Sequence, residues 1–589
     1  MTKTINQNFW DDEPVDVTQE ANFIWSIANK LRGTYMPDKY GDVIIPMTII
    51  RRFECTLEEN KNKIVKLFEK HPDYPSQKFE KEAGFSFYNT SSFNLAELCN
   101  DPDNIEENFK DYINGFSTKV QNILKQLEFD AHIKKMNENG CLYTVVKAFS
   151  ELDLHPAKYD SIKMGYIFEN LIGRFFQNVE AGQFYTGRDI IKLLVSVLTA
   201  EGRDDIFDNY KAIYICDQAA GTGGMLTTAY SYFKHMNETA EIHLYGQEFM
   251  PVSHAVGLAE MLIKGQDATN FRRTDTFKED CFKDKKMDYV IENPPFGTPW
   301  SGKDAKEGQE KAVRDEFAKG EKGRWGAGLP SGGDSQLIFL QSALDKMDPL
   351  KGRAAIIENG SPLFTGGTSS GESQIRRYLL ENDKIEAIIA LPTDLFYNTG
   401  IQTYVWILSN NKRKERVGKI QLIDASGIYT KLRKSLGKKR NELSPENRKE
   451  ITKLYADFKE NELCKIYDNK EFIYKEYSVY RPSYIEGTDE IEKDKKGNIV
   501  YDKKTKDIEI VKIEEDIDEY MKREVLPHVP DAKAFFEEDL TKKKPVIKTG
   551  AEIPFTRYFY KYKEPERSED LLREFEELEK EVQGNIKEI

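Results

Sequence analysis

Cysteine is scarce in this chain: Cys55, Cys99, Cys141, Cys216, Cys281 and Cys464 are scattered over 589 positions, with no Cys-x-x-Cys pair among them. That spacing excludes a disulfide framework and offers no metal site. Long apolar runs are missing too, and the N-terminus carries no signal pattern, so the expectation is a soluble, cytoplasmic chain. Positive charge is in deficit: the formal net charge is −14, which opposes binding to a polyanion unless cations gather on one face or a partner supplies them. The Gly-Lys-Ser/Thr ending of a phosphate-binding loop is also absent, which removes the usual route to nucleoside-triphosphate chemistry.

What the chain does contain is a turn, Asn293-Pro294-Pro295-Phe296, at the end of the apolar run Met287–Ile291. Open α/β sheets hold their ligands at the carboxyl ends of strands, where this turn falls. Two prolines fix φ and remove two donors, which leaves the Asn293 oxygen and the Pro294 carbonyl as acceptors beside an aromatic ring. A planar amine such as adenine N6 suits that corner, donating to both oxygens while its ring stacks on Phe296.

Upstream, the run Ala212–Cys216 reads as a buried strand leading through Asp217 and the glycine loop Gly221-Thr222-Gly223-Gly224 into a helical stretch. The glycines allow a sharp bend and close approach of a ligand, and the helix start presents unpaired amides. Asp217 repels a pyrophosphate and attracts an ammonium or sulfonium, which favours S-adenosylmethionine over a nucleotide phosphate. The next strand, Ile242–Tyr245, ends in Gly246-Gln247-Glu248, placing Glu248 where a carboxylate accepts both ribose hydroxyls. Asp275 and Thr276 follow a short third strand, and Asp275 is the candidate acceptor for the cofactor's adenine amino group.

These stretches, together with Gln183-Phe184-Tyr185-Thr186-Gly187-Arg188, Leu391–Gly400, Lys434–Gly437 and Arg523–Pro530, resemble the modification (M) subunits of type I restriction–modification systems. Two departures stand out: Gly187 occupies a place that is usually Pro, and Gln218-Ala219-Ala220 replaces a commoner Pro-Ala-Cys. The resemblance implies an adenine-N6 DNA methyltransferase. Asn293, Pro294, Pro295 and Phe296 would then be catalytic, and Gln183, Phe184, Tyr185, Thr186, Gly187, Arg188, Asp217, Gly221, Thr222, Gly223, Gly224, Glu248, Asp275 and Thr276 would bind S-adenosyl-L-methionine. It also implies double-stranded DNA, a specificity (S) subunit and a restriction (R) subunit as partners, with two M subunits per S. The chain shows no Pro-Cys nucleophile of the kind cytosine-C5 methylation needs. Two other readings of the same turn are a non-catalytic scaffold of a restriction assembly and a methyltransferase acting on a protein glutamine amide. A nuclease pattern, Pro37-Asp38 with Glu59-Asn60-Lys61, matches only formally, because Glu59 sits in a charged, helix-like run.

The pattern divides into an N-terminal helical domain (1–169), a catalytic domain with a doubly wound, Rossmann-like α/β sheet (170–425), and a mainly helical C-terminal extension (426–589). Family likeness places the strand Tyr404–Leu408 antiparallel in that sheet. The stretch 298–334, rich in Gly, Lys and Glu, reads either as plain disorder or as a loop that orders on DNA with Arg324 and Trp325 as contacts. Basic clusters within 412–440 are candidates for phosphate contact or a solvated face. Near the end, Leu571, Phe575, Leu578 and Val582 form a narrow seam on a helix of about 568–587, which docks on the specificity subunit or on its own domain.

Overall fold

The computed structural model describes residues 17–175, 186–200, 204–536 and 548–560, with Leu572, Arg573, Phe575 and Leu578 beyond them. Met1–Ile553 forms one compact unit and Pro554–Ile589 a second. The first part of the larger unit is helical, from Thr18–Ala28 to Ser161–Phe175, the last of these helices running across the boundary expected at 169. Apolar positions at helical spacing, Ile44, Ile45, Ile49 and Phe53 among them, are fully buried there. The same core takes in Ala255, Val256, Ala259 and Leu262 of the helix Pro251–Ile263, and so seats the helical part against the layer that covers the sheet. Pro37–Lys39 is a tight 3-10 turn and Glu59 lies in a turn between helices, so neither half of the nuclease pattern is on a strand.

The sheet contains β1 (Ala212–Asp217), β2 (Glu241–Glu248), β3 (Phe271–Arg273), β4 (Tyr289–Glu292), β5 (Arg353–Glu358), β6 (Ile385–Ala390), β7 (Tyr404–Ser409) and β8 (Lys419–Asp424). The central strands β4, β5, β6 and β7 are buried at every position, which is why they read as unbroken apolar runs rather than as alternation. Strands β1 to β6 and β8 pair in parallel where they adjoin, and β7 runs antiparallel to both β5 and β6, as family likeness implies. Connections leave β1 toward β2 on one side, while β4 lies on its other side. That reversal opens a crevice at the carboxyl ends of β1 and β4.

The C-terminal stretch corrects one expectation. It is not mainly helical: after a hairpin of β9 (Thr430–Leu436) and β10 (Lys439–Glu442) and a helix Pro445–Asp457, it continues in strands. β11 (Cys464–Asp468) adds a ninth strand to the main sheet, antiparallel to β8, so the sheet runs past 425. β12 (Ile473–Pro482), β13 (Tyr501–Lys512), β14 (Lys533–Phe535) and β15 (Thr549–Ala551) form a second sheet, with β12 pairing all three others. The physical reason lies in strand pairing: Tyr477, Val479 and Tyr480 of β12 are buried, and the charge-dense β13 pairs with it at Tyr501, Asp502 and 507–512. High charge density imitates a solvated helix, but strand pairing decides.

The stretch 298–334 is also corrected. It folds a helix, Gln309–Phe317, and gathers Trp300, Val313 and Trp325 into a small apolar core with Phe277, Ile338 and Phe339. Trp325 is fully buried, its Nε1 donating to Ser342 Oγ at 2.9 Å, so it is a packing residue and not a surface contact. Arg324 is likewise committed, donating to the Thr276 and Phe277 carbonyls at 2.7 and 3.3 Å. In the smaller unit, Phe555–Phe559 is helical, and Phe575 and Leu578 are helical and exposed. Leu571 and Val582 of the seam lie outside the described residues. No described helix is long and apolar enough to cross a membrane.

Candidate active site

Strand β1 delivers Asp217 to the crevice, buried to 1% exposure, with its Oδ1 accepting from the Ala219 N–H at 3.0 Å. Gly221 and Gly223 follow at φ of +54° and +72°, a left-handed bend that a side chain resists. A Cβ added at Gly221 would meet no atom within 4 Å, so the loop faces open space there. The helix Gly224–Met236 begins immediately after, with no side-chain cap on its first amides. Glu248, at the end of β2, holds this loop: its Oε2 accepts from the Gly221 N–H at 2.7 Å and its Oε1 from the Met250 N–H at 2.7 Å. The Ala220 N–H adds a third tie, to the Gln247 carbonyl at 2.9 Å.

Burial raises the Asp217 carboxyl to about 8, with the nearby Glu248 charge pushing the same way and the Ala219 N–H opposing. Glu248 is also raised by burial, though backbone donors counter part of it. An acid so placed holds its proton at neutral pH until a cation arrives to favour the carboxylate.

At the end of β4, Asn293 is nearly buried and its Nδ2 donates to Thr186 Oγ1 at 2.8 Å. This bond orients the amide and joins the Asn-Pro-Pro turn to the segment that precedes the helix Arg188–Thr199. Phe296 is 6% exposed and meets Phe396 edge-to-face at 6.4 Å between centroids. Phe396 lies within the loop Leu391–Gly400, and sequence reasoning gave it no role of its own.

Asp275 sits after β3, where its Oδ2 accepts from Gln309 Nε2 at 2.9 Å and its Oδ1 from the Phe277 N–H at 3.0 Å. Gln309 comes from the folded 298–334 segment and has no local signal that could have marked it. The Thr276 hydroxyl is spent on the fold, donating to the Gln218 carbonyl at 2.6 Å and accepting from Gln247 Nε2 at 3.2 Å. The Arg188 guanidinium is buried, 3.3 Å from Glu260 Oε1 and 3.3 Å from Thr228 Oγ1, and lies over the Tyr166 ring, so it ties helices together beside the crevice. Gly187 has an ordinary φ of −61°, but a Cβ there would meet Asp189 Oδ1 at 2.4 Å and Lys439 Nζ at 2.8 Å. A side chain there would therefore have to displace the Asp189–Lys439 pair. Gln183, Phe184 and Tyr185 lie outside the described residues.

A buried acidic group flanks the turn. Glu292 is fully buried, its Oε1 accepting from the Gln218 N–H at 3.2 Å, and so it links the end of β4 to the loop after β1. Glu358 at the end of β5 is fully buried as well, and among the described residues neither carboxyl oxygen is hydrogen-bonded. Burial first, and then the charge of Asp217 for Glu292 and of Asp334 and Glu292 for Glu358, holds both well above the usual carboxylate range. The folded state therefore keeps protons that the unfolded chain releases above a glutamate's ordinary value. Stability from these groups is complete below that value and declines as pH rises. Glu292→Gln keeps a neutral acceptor for Gln218 and carries no such penalty. Its Tm is expected to exceed the parent's by about 1–3 °C at pH 9 and to converge with it toward pH 5 in a scanning-calorimetry series. An unchanged difference across that range would contradict a protonated Glu292.

Comparison with known proteins agrees with this geometry. A family model described as N-6 DNA Methylase matches residues 160–494, more than half of the chain, and a second, the HsdM N-terminal domain, matches residues 21–149. The MjaIX type I restriction enzyme methylase subunit of Methanocaldococcus jannaschii is 24% identical over 75% of this chain and 77% of its own length. The MjaVII methylase subunit of the same organism is 28% identical over 66% of this chain and 63% of its own. The crystal structure of a type I restriction–modification methyltransferase subunit from Streptococcus thermophilus superimposes with a TM-score of 0.63 at 21% identity, over 77% of this chain and 96% of that one. The chain belongs to the N-6 DNA methylase family, as the adenine-specific DNA methyltransferase subunit of a type I restriction–modification system.

Proposed function

We propose that the crevice between β1 and β4 binds S-adenosylmethionine and that the Asn293–Phe296 turn receives an adenine rotated out of double-stranded DNA. The observation that carries this reading is the convergence of two ends: a glycine bend open to a ligand and guarded by raised carboxyls, and a rigid acceptor corner at the adjoining strand end. When bound, S-adenosylmethionine supplies an electrophilic methyl carbon on a sulfonium. Asp217 offers the charge that a cation prefers, Glu248 has lone pairs for ribose hydroxyls beyond those given to Gly221 and Met250, and Asp275 accepts from the adenine amino group. Asn293 and the Pro294 carbonyl accept the hydrogens of the target amine more strongly as its nitrogen becomes tetrahedral and positive, which is selective stabilisation of the transition state. Base extrusion costs a few kcal/mol and is offset in part by stacking on Phe296.

A specificity subunit, a restriction subunit and a stoichiometry of two M per S complete the proposal. The net charge of −14 supports it, because a chain so acidic gains from partners that help hold DNA. The test is calorimetric titration with S-adenosylmethionine across pH, followed by methyl transfer to duplex DNA by the assembled complex with mass-spectrometric readout of N6-methyladenine. Because Asp217 enters the complex as a carboxylate, binding releases a proton, and affinity is expected to rise about tenfold per unit from pH 6 to near 8. Buffers of different ionisation enthalpy report that proton directly, and Asp217→Asn abolishes it. Absence of binding would leave a scaffold, and transfer to a glutamine peptide but not to DNA would replace the substrate.

A further inference from the structure

Among the described residues the β9–β10 hairpin pairs with no other strand, and it is fastened from its turn along β10 to the target-base corner. Lys439 is buried, with its Nζ 2.8 Å from Asp189 Oδ1 and 3.0 Å from Oδ2, while the Leu443 N–H donates to the same carboxylate at 2.9 Å. The Lys438 N–H donates to the Tyr397 carbonyl at 2.8 Å, the Arg440 N–H to the Asp394 carbonyl at 2.9 Å, and Asn441 Nδ2 to the Thr393 carbonyl at 3.0 Å. Those three acceptors belong to the loop whose Phe396 touches Phe296. Asp189 is three residues from Thr186, the partner of Asn293. Two short chains of contact thus run from β10 to the Asn293–Phe296 turn.

The cations of 412–440 divide by burial. Lys412 is 2.5 Å from Asp383 Oδ1 with its side chain buried, Arg416 is fully buried beside Glu386, and Lys439 is committed to Asp189. These hold the fold. Lys431, Arg433, Lys434, Lys438 and Arg440 are exposed, and among the described residues none is ion-paired. In a chain of net charge −14, five unneutralised cations within ten residues are a local reversal of sign.

We infer that this hairpin grips the DNA backbone beside the extruded adenine, with Lys431, Arg433, Lys434, Lys438 and Arg440 facing phosphates. The inference rests on the proposed function and names the surface that brings the duplex to the site. Phosphate contacts position without reading sequence, so the hairpin sets register while base discrimination lies elsewhere.

The test uses the full chain assembled with its specificity subunit, comparing the parent with the triple variant Arg433→Gln, Lys434→Gln, Lys438→Gln. DNA affinity is measured against KCl concentration, with sedimentation to follow assembly and calorimetry to follow S-adenosylmethionine binding. Loss of three phosphate contacts at about 0.9 each makes the slope of log affinity against log salt shallower by about 2.7. Assembly and cofactor affinity are expected to stay at the parent's values. An unchanged slope overturns the inference, and so does a variant that no longer assembles, since the hairpin would then face a protein. A parent complex that binds DNA with the full slope yet transfers no methyl defeats the functional reading and leaves the hairpin standing.

Discussion

Asn293→Ala is expected to lower the rate of methyl transfer to duplex DNA by about 100- to 1000-fold while cofactor affinity stays within about twofold. The reason is where the amide is held. Its nitrogen donates to Thr186 Oγ1, so the side chain is oriented in advance of substrate, and the acceptor costs no reorganisation when charge develops on the amine. Thr186→Val removes the orienting hydroxyl but leaves the acceptor, and falls between: about tenfold in rate at saturating cofactor. Single-turnover kinetics with saturating cofactor separate this loss from binding. Retention of half the parent rate by Asn293→Ala would remove the residue from the chemistry.

The parts of this site that local sequence reveals share one property: they sit at the carboxyl ends of strands buried on both faces. β1 and β4 are continuous apolar runs, so the residue pattern itself marks Asp217 and Asn293 as strand-end residues, and parallel pairing of β1 with β4 brings them to one edge. Glu248 is legible as the acid that ends β2, whose buried positions are confined to Leu244–Gln247. What is illegible depends on distant partners. Lys439 reads as one more cation in a basic run until Asp189, 250 positions earlier, proves to be its counter-ion. Nothing local to Arg188 marks Glu260, 72 positions later, as its buried partner. Gln309 and Trp325 belong to a segment without periodicity, because its few apolar side chains meet Phe277 and Phe339 and not one another's helical neighbours. Glu292 resembles any polar strand end. Only full burial beside Asp217 distinguishes it.

Glu248→Ala is expected to produce the opposite of Asn293→Ala: cofactor affinity falls about 100- to 1000-fold, while the rate at saturating cofactor stays within a few-fold of the parent. Two losses add. The ribose hydroxyls lose their acceptor, and the Gly221 and Met250 N–H groups, both at 2.7 Å from this carboxylate, lose theirs. A buried donor left without a partner costs about 1–3 kcal/mol, and the glycine loop is then free to relax away from the conformation that its left-handed residues hold. Glu248→Gln discriminates between the two losses: it presents one oxygen and one amine to two N–H donors, so one donor faces another and the loop is still disturbed although the side chain has almost the same volume. Affinity in the Gln variant is therefore expected to lie nearer to Ala than to the parent. If Gln restored parent affinity, the loop clamp would carry little and the ribose contact could not depend on a carboxylate. If Glu248→Ala and Asn293→Ala lost binding and rate alike, the division between a cofactor end and a base end of the crevice would fail.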